Sequence, residues 1–150
     1  MFALVLISII SFSLSCKKDN TEYQISYTGS KISTYTWYSD DVSAVIRGDS
    51  LLLTGQKDDK SSIALIVYRS AVGNYEMSTS DLKTVVVIDK EGLKERASQY
   101  ISVEGVVSII EKNEDKKTIT GSFDVEMINL ASIDNKERFK GNFTSKYQNY

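Results

Sequence analysis

The sequence has no histidine and no proline, and it contains a single cysteine, Cys16. The absence of histidine excludes His-based catalytic triads, histidine metal ligands and a pH switch near neutrality. Without proline, no strand loses a backbone N–H donor. A lone cysteine cannot form an intramolecular disulfide. The net charge of −2 over 150 residues gives no basic footprint for nucleic acid, so we predict no nucleic-acid partner.

Two segments near the end of the chain share the pattern apolar, polar, Gly, polar, Phe. They are residues 119–123 (ITGSF) and 139–143 (FKGNF), and the alternation continues on both sides of each. A period of two indicates a strand with one buried face and one solvated face. We therefore predict that Gly121 and Gly141 lie on the buried face. The connecting residues 129–135 are short enough for a hairpin, and a separate crossing is the alternative.

Turn signals recur about every ten residues along the rest of the chain, and no helix-length amphipathic segment separates them. Gly48 and Asp49 form a two-residue turn signal. Residues 63–68 form a continuous apolar run, which predicts burial on both faces of a strand. Residues 93–99 are tolerable helix formers, but seven residues make a marginal helix, so we predict a loop or short turn. The pattern predicts an all-β, single-domain fold, either an antiparallel β-sandwich or a partly closed β-barrel.

Residues 2–14 form an uncharged apolar and serine-rich run that ends at Ser15 and Cys16. The run is too short to span a bilayer as a helix, and it fits the apolar region of a secretory signal. A small residue followed by cysteine resembles the lipobox of bacterial lipoproteins, with Ser13 where leucine is commonest. That resemblance implies cleavage before Cys16 and acylation of its sulfur and its new amino group. A soluble secreted protein with an incidental cysteine is the alternative.

The residues after Cys16 read KKDN, and they resemble the tether of surface-exported lipoproteins in Gram-negative bacteria. More than one acyl chain gives durable attachment, because each buried methylene contributes about 0.8 kcal/mol. We therefore expect residues 1–15 to be a signal peptide, residues 16–22 a lipidated N-terminus and tether, and residues 23–150 the β domain. The expected location is the outer membrane, with the domain facing the periplasm or the cell surface. The absence of a Lys or Arg before the apolar run is explained if Met1 is an internal start.

The order of glycines and aromatic residues also resembles a group of small bacterial lipoproteins whose domain has no assigned function. The similarity covers roughly residues 35–147 and implies a fold without implying an activity. The positions that carry it are Gly73, Tyr75, Tyr100, residues 105–109 (GVVSI), Gly121, Phe123, Gly141 and Phe143.

Acidic turns are the first candidates for chemistry. They contain Asp40, Asp41, Asp49, Asp58 and Asp59. If two of these turns converged, their carboxylates would offer hard oxygen ligands to Ca²⁺. None has the spacing of an EF-hand, and aspartate in a turn is explained by hydrogen bonding to the backbone. We predict no metal and no cofactor.

Catalytic patterns are weak. Asp124 and Glu126 are predicted on the solvated face of a strand, and the sequence has no Gly-x-Ser-x-Gly nucleophile elbow. A carboxylate pair or a Ser-Lys pair remains open as the basis of an envelope hydrolase, which is one alternative function. A structural envelope lipoprotein is another.

Aromatic residues are concentrated early in the domain, at Tyr23, Tyr27, Tyr35, Trp37 and Tyr38. Such side chains usually fill a core or a sheet edge, but flat rings with polar tips also suit sugars and protein partners. We predict a lipid-anchored, non-catalytic binding or accessory module that recognises a glycan, a peptide or an envelope partner. The predicted contact surface has an exposed Trp37 ring for stacking. Its residues are Tyr35, Trp37, Tyr38, Asp40 and Asp41.

Overall fold

The computed structural model describes residues 23–30, 36–77, 83–90 and 99–150, and within these ranges every regular element is a strand. The prediction of an all-β fold is confirmed. The ten strands are β1 (Gln24–Gly29), β2 (Thr36–Ser39), β3 (Asp41–Arg47), β4 (Ser50–Gln56), β5 (Ser62–Val67), β6 (Gly73–Met77), β7 (Thr84–Asp89), β8 (Gln99–Asn113), β9 (Thr118–Asn129) and β10 (Ser132–Asn149).

All ten strands belong to one sheet with a partly ring-like arrangement. The pairings run from β10 through β3, β4, β5, β7, β8 and β9 and return to β10. β1 adds to the side of β10 and carries β2, while β6 adds to β8. Described neighbours are antiparallel except β10 and β3, which run parallel, with Tyr147 opposite Ala44. The sequence did not predict this parallel pairing.

The hairpin of β9 and β10 confirms the alternation predicted for the end of the chain. Asn129 ends β9, and its side-chain oxygen accepts a hydrogen bond of 2.9 Å from the backbone N–H of Ala131 in the turn. Every second residue of β9 is buried. The predicted two-residue turn at Gly48 and Asp49 is also present, because Arg47 pairs with Ser50 across it.

Gly121 and Gly141 lie on the buried face as predicted, and each faces a phenylalanine of the neighbouring strand. Gly121 pairs with Phe143, and Gly141 pairs with Phe123. A Cβ on either glycine would overlap the ring opposite it and a backbone carbonyl oxygen of the next strand, β8 or β1. The two glycines therefore provide the space in which the two buried rings lie.

β8 is one continuous strand of 15 residues that includes Gly105. A register irregularity lies just before this glycine, between Ser102 and Glu104. Gly105 has φ +129, and the backbone of β9 occupies the space that a Cβ would need. Only glycine fits this close approach of two strands.

The apolar run over β5 is buried on one face only. Ile63, Leu65 and Val67 are buried, whereas Ile66 is 45% exposed and Tyr68, just after the strand, is 38% exposed. The prediction that both faces are buried is therefore wrong. The strand is covered by the core on its inner side and open to solvent on the other.

Several predicted features lie outside the described residues. These are the signal peptide, the tether with Cys16, Tyr35, and residues 93–98 of the predicted loop. Over the part of the chain that the structure describes, no helix has the length and apolarity needed to cross a membrane.

Tyr147 of β10 fastens the turn between β8 and β9. Its hydroxyl donates a hydrogen bond of 2.6 Å to Glu114, and its backbone N–H donates one of 2.8 Å to the Lys117 carbonyl. The ammonium groups of Lys112 and Lys117 lie 5.4 and 5.7 Å from the centre of its ring. Hydrogen bonds from Lys112 and Tyr147 lower the pKa of Glu114 to about 2. Burial, with the hydrogen bond to Glu114, raises the pKa of Tyr147 to about 12.

We expect Tyr147 to make the fold sensitive to strong alkali. Because its pKa is raised from 10.0 to about 12 in the folded chain, its contribution to stability is complete below pH 10 and is lost as the pH rises towards 12. Absorbance of ionised tyrosine should show a late transition that Tyr147→Phe removes. If the wild type and the variant titrate alike, the Tyr147 hydroxyl is not held by Glu114.

Candidate functional site

A cavity of about 180 Å³ opens at one end of the fold, which we call the Trp37 cavity. It lies where β1 ends, where a turn joins β4 to β5, and where the chain leaves β7. Segments distant in the sequence therefore supply its walls. The lining residues are Tyr27, Gly29, Trp37, Asp59, Ser61, Lys90 and Phe139.

Three aromatic rings form the apolar wall of the Trp37 cavity. Tyr27 and Trp37 are directly opposite each other on β1 and β2, and this register stacks their rings 5.0 Å apart at an angle of 18°. Phe139 of β10 meets the Tyr27 ring edge-on, with centroids 5.7 Å apart. Each ring is buried in the fold and also borders the cavity. The wall is consequently held in place by the core rather than by the surface.

A chain of hydrogen bonds links the Trp37 ring to a charged group. The indole Nε1–H donates to the Ser61 hydroxyl at 2.7 Å, and that hydroxyl donates to Asp59. The backbone N–H of Ser61 also donates to Asp59, at 2.8 Å. Both hydrogen bonds lower the pKa of Asp59, the one from the Ser61 side chain more than the one from its backbone. Asp59 is therefore an ionised acceptor and a weak base, which does not favour Ser61 as an activated nucleophile.

Lys90 completes the polar side of the Trp37 cavity, and a buried acid behind the lining holds it there. Glu137 of β10 is only 4% exposed, and its carboxylate fills the space where Gly29 has no Cβ. The Lys90 ammonium lies 3.5 Å from Glu137, 4.4 Å from the centre of the Tyr100 ring and 5.1 Å from that of Phe139. Aromatic faces and a carboxylate thus position this cation beside the cavity.

The predicted contact surface is divided in the structure. The expectation of an exposed Trp37 ring is wrong, because the side chain is 4% exposed. β2 alternates so that Trp37 and Ser39 point into the core while Tyr38 points outward. The aromatic residues of a four-residue strand fall on both faces, and only tertiary packing decides which face is buried. Tyr35 lies outside the described residues.

Asp40 and Asp41 lie in a second depression, together with Tyr38. The turn at residues 57–59 borders it, so two of the acidic turns weighed for Ca²⁺ do converge, and Asp59 borders both depressions. Nevertheless, in the ranges that the structure describes, no group of three or more cysteine, aspartate or glutamate side chains is arranged to hold a metal ion.

Ser61, Lys90 and Phe139 of the lining, and Glu137 behind Lys90, were not predicted from the sequence as site residues. Phe139 carried a signal for the core and not for a ligand. Glu137 carried a different signal. It lies two residues before Phe139, and alternation places both side chains on the inner face. A carboxylate at such a position requires a partner, and that requirement marks a site.

Comparison with known protein families identifies the domain. A family model described as a domain of unknown function, DUF6252, matches residues 24–146, which includes the strands that build the Trp37 cavity. Neither a curated protein nor a solved structure matches the chain.

Proposed function

We propose that this chain, which belongs to the DUF6252 family of domains of unknown function, is a non-catalytic module that binds the terminal sugar of a glycan in the Trp37 cavity. The observation behind this proposal is the composition of the cavity wall, in which buried aromatic rings stand beside a carboxylate, a hydroxyl and an ammonium group. Ligand sites typically combine an apolar lining with a few convergent polar groups.

The size of the Trp37 cavity limits what it accepts. Sites for drug-sized molecules measure about 300–1,000 Å³. The cavity has about 180 Å³. It therefore suits a single ring at the end of a longer glycan, with the remainder of the glycan outside. A terminal peptide residue is the competing ligand.

Each polar group of the cavity has a plausible partner on a sugar. Asp59 is ionised, so it accepts hydrogen bonds from hydroxyls, and Lys90 donates to ring or hydroxyl oxygens. The apolar face of a sugar would pack on the small exposed parts of Tyr27 and Trp37 that border the cavity, with the fully buried Phe139 ring behind them. This division of the wall into apolar and polar sides favours one orientation of the ligand.

The same groups favour binding over hydrolysis. Glycoside hydrolysis requires a carboxylic acid with a raised pKa to protonate the leaving oxygen. Asp59 is the carboxylate that lines the cavity, and hydrogen bonds from Ser61 lower its pKa. Asp59 is therefore not arranged as a proton donor.

Trp37 is the direct reporter for this proposal, because it is the only tryptophan and its ring borders the cavity. We expect blue-shifted emission that iodide quenches poorly in the free protein. Titration with a panel of monosaccharides and short glycans should change that emission. Asp59→Asn should weaken binding at least about tenfold, because hydrogen bonds to charged groups contribute roughly 1.5–3 kcal/mol. Asp58→Asn, one residue away and outside the cavity, is the matched control.

Two results would contradict the sugar proposal. One is that no sugar alters the Trp37 signal while a peptide does. The other is that Asp59→Asn and Asp58→Asn bind the same sugar equally well.

The proposal includes attachment to a membrane through Cys16, with the domain on the outer membrane and facing the periplasm or the cell surface. Support comes from the apolar run that ends at Ser15 and Cys16 and from the polar tether that follows. Growth with an alkynyl fatty acid should tag the wild type, and Cys16→Ser should lose both the tag and the membrane fraction. An untagged wild type found in the soluble fraction would end the lipoprotein interpretation.

A further inference from the structure

The outward side chains of β3, β4, β5 and β7 form rows that cross the four strands in register. We number the rows from the Gly48 turn towards the Trp37 cavity. The first row holds Arg47, Ser50, Tyr68 and Lys83. The second holds Val45, Leu52, Ile66 and Val85. The third holds Ser43, Thr54, Ala64 and Val87. The fourth holds Asp41, Gln56 and Ser62, and at the position opposite Ser62 on β7 the Asp89 side chain is buried.

The second row is entirely apolar, and its two central side chains are exposed to solvent. Leu52 is 42% exposed and Ile66 45% exposed, and they are direct cross-strand partners. Val45 and Val85 extend the row on either side and are half-buried. A continuous apolar strip on an exposed sheet face is typical of an interaction surface.

The first row adds positive charge beside the apolar strip. Arg47 and Lys83 stand at its two ends, and Tyr68 lies between them at 38% exposure. The Lys83 ammonium lies 5.9 Å from the centre of the Tyr68 ring, and the Arg69 guanidinium lies 5.7 Å from it. Neither of these two rows of described residues contains a carboxylate; the nearest exposed one is Asp49, in the turn that follows Arg47. The exposed Asp41 lies at one end of the fourth row.

The start of β1 lies level with the fourth row. Gln24 pairs with Thr144 of β10, and the register of β10 with β3, in which Tyr147 lies opposite Ala44, places Thr144 level with Asp41. Gly29, at the other end of β1, borders the Trp37 cavity. Cys16 precedes Tyr23 by seven residues, which span at most about 25 Å when extended. That reach covers all four rows, so the position of Cys16 does not select one of them.

We propose that the first two rows dock on an anionic lipid surface, with the Trp37 cavity directed away from it. The cations would pair with lipid phosphates, Tyr68 would lie at the headgroup level, and Leu52 and Ile66 would reach the acyl boundary. Each cation near an anionic surface contributes about a fivefold gain in binding. This surface shares no residue with the lining of the Trp37 cavity, and its docking does not depend on Cys16.

The test is vesicle flotation of the purified full chain carrying Cys16→Ser, which cannot be acylated at that position. One set of vesicles is phosphatidylcholine, and the other is an equimolar mixture of phosphatidylcholine and phosphatidylglycerol. The apolar run near the N-terminus contributes equally in every variant, so differences between variants report the docking face. Combining Arg47→Gln with Lys83→Gln should reduce binding to the anionic vesicles about 25-fold, at about fivefold for each cation. Lys60→Gln with Lys140→Gln makes the same charge change elsewhere and should leave binding unchanged.

A second pair of variants tests the apolar row. Leu52→Thr with Ile66→Thr keeps strand-forming residues and should also weaken binding to anionic vesicles. Equal binding to both kinds of vesicle, or equal effects of the two glutamine pairs, would overturn the proposal. A third result would also overturn the proposal. It is that the protein does not bind vesicles but dimerises in solution, and that Leu52→Thr with Ile66→Thr abolishes the dimer, because a second copy would then cover the face. A failed sugar titration would leave this result intact, since it concerns the opposite end of the fold.

Discussion

Gly121→Val is expected to destabilise the domain by about 3 kcal/mol, at the upper end of overpacking effects. The new side chain would meet the ring of Phe143 and the carbonyl oxygen of Ser108 at the same time. A flexible side chain can move aside, but a backbone carbonyl within a sheet cannot move without loss of pairing. Gly141→Val should have a similar effect, because Phe123 and the carbonyl of Ser26 occupy the corresponding space.

Urea unfolding of the variants measures this effect as a lower midpoint at constant slope. Ser122→Val, next to Gly121 on the outward side of β9, is the matched control and should change stability by no more than about 0.5 kcal/mol. If the two substitutions on β9 have equal effects, the packing of the rings across the glycines does not determine stability.

Phe139→Ala is expected to cost about 3–5 kcal/mol, the usual range for removing a fully buried phenylalanine. The Phe139 ring is 0% exposed and meets both Tyr27 and Tyr100 edge-on, with centroids 5.7 and 5.4 Å away. Its loss would leave a void between these rings and enlarge the Trp37 cavity. The substitution therefore tests the core and the site wall together.

Phe139→Leu separates the two effects. It retains most of the buried volume and should cost markedly less than the alanine variant while it still removes the aromatic edge from the cavity. Asn142→Ala on the exposed side of β10 should be close to neutral. Chemical unfolding followed by Trp37 emission gives all three values. A small loss for Phe139→Ala would mean that the aromatic wall is not part of the cooperative core.

Strands with strict alternation were predictable from the sequence because a period of two belongs to the strand itself. The hairpin of β9 and β10, the buried faces of Gly121 and Gly141, and the turn at Gly48 all follow from local patterns. The burial of β5 on both faces was not a safe inference. An apolar side chain at Ile66 satisfies the pattern of a central strand even though solvent covers it in the fold.

The Trp37 cavity lay beyond what local patterns reveal. Its lining residues Ser61, Lys90 and Phe139 come from three separate segments, which are neighbours only in the folded sheet. Trp37 was identified as a site residue for its ring area, but its orientation depends on how β2 packs against Tyr27. The parallel pairing of β10 with β3 has no local signal either, because its partners are distant in the chain.

The position of β10 in the sheet also affects how the protein folds. β10 is the last strand of the chain, and it pairs with β1 and β3 near the start as well as with the preceding β9. The contacts of β10 with β1 and β3 join distant segments, and such contacts slow folding to the millisecond-to-second range typical of all-β domains. During synthesis, the sheet cannot close until β10 has left the ribosome. A ribosome that stops before residue 139 would release a chain in which these three strands have open edges, and open edges pair readily with other chains.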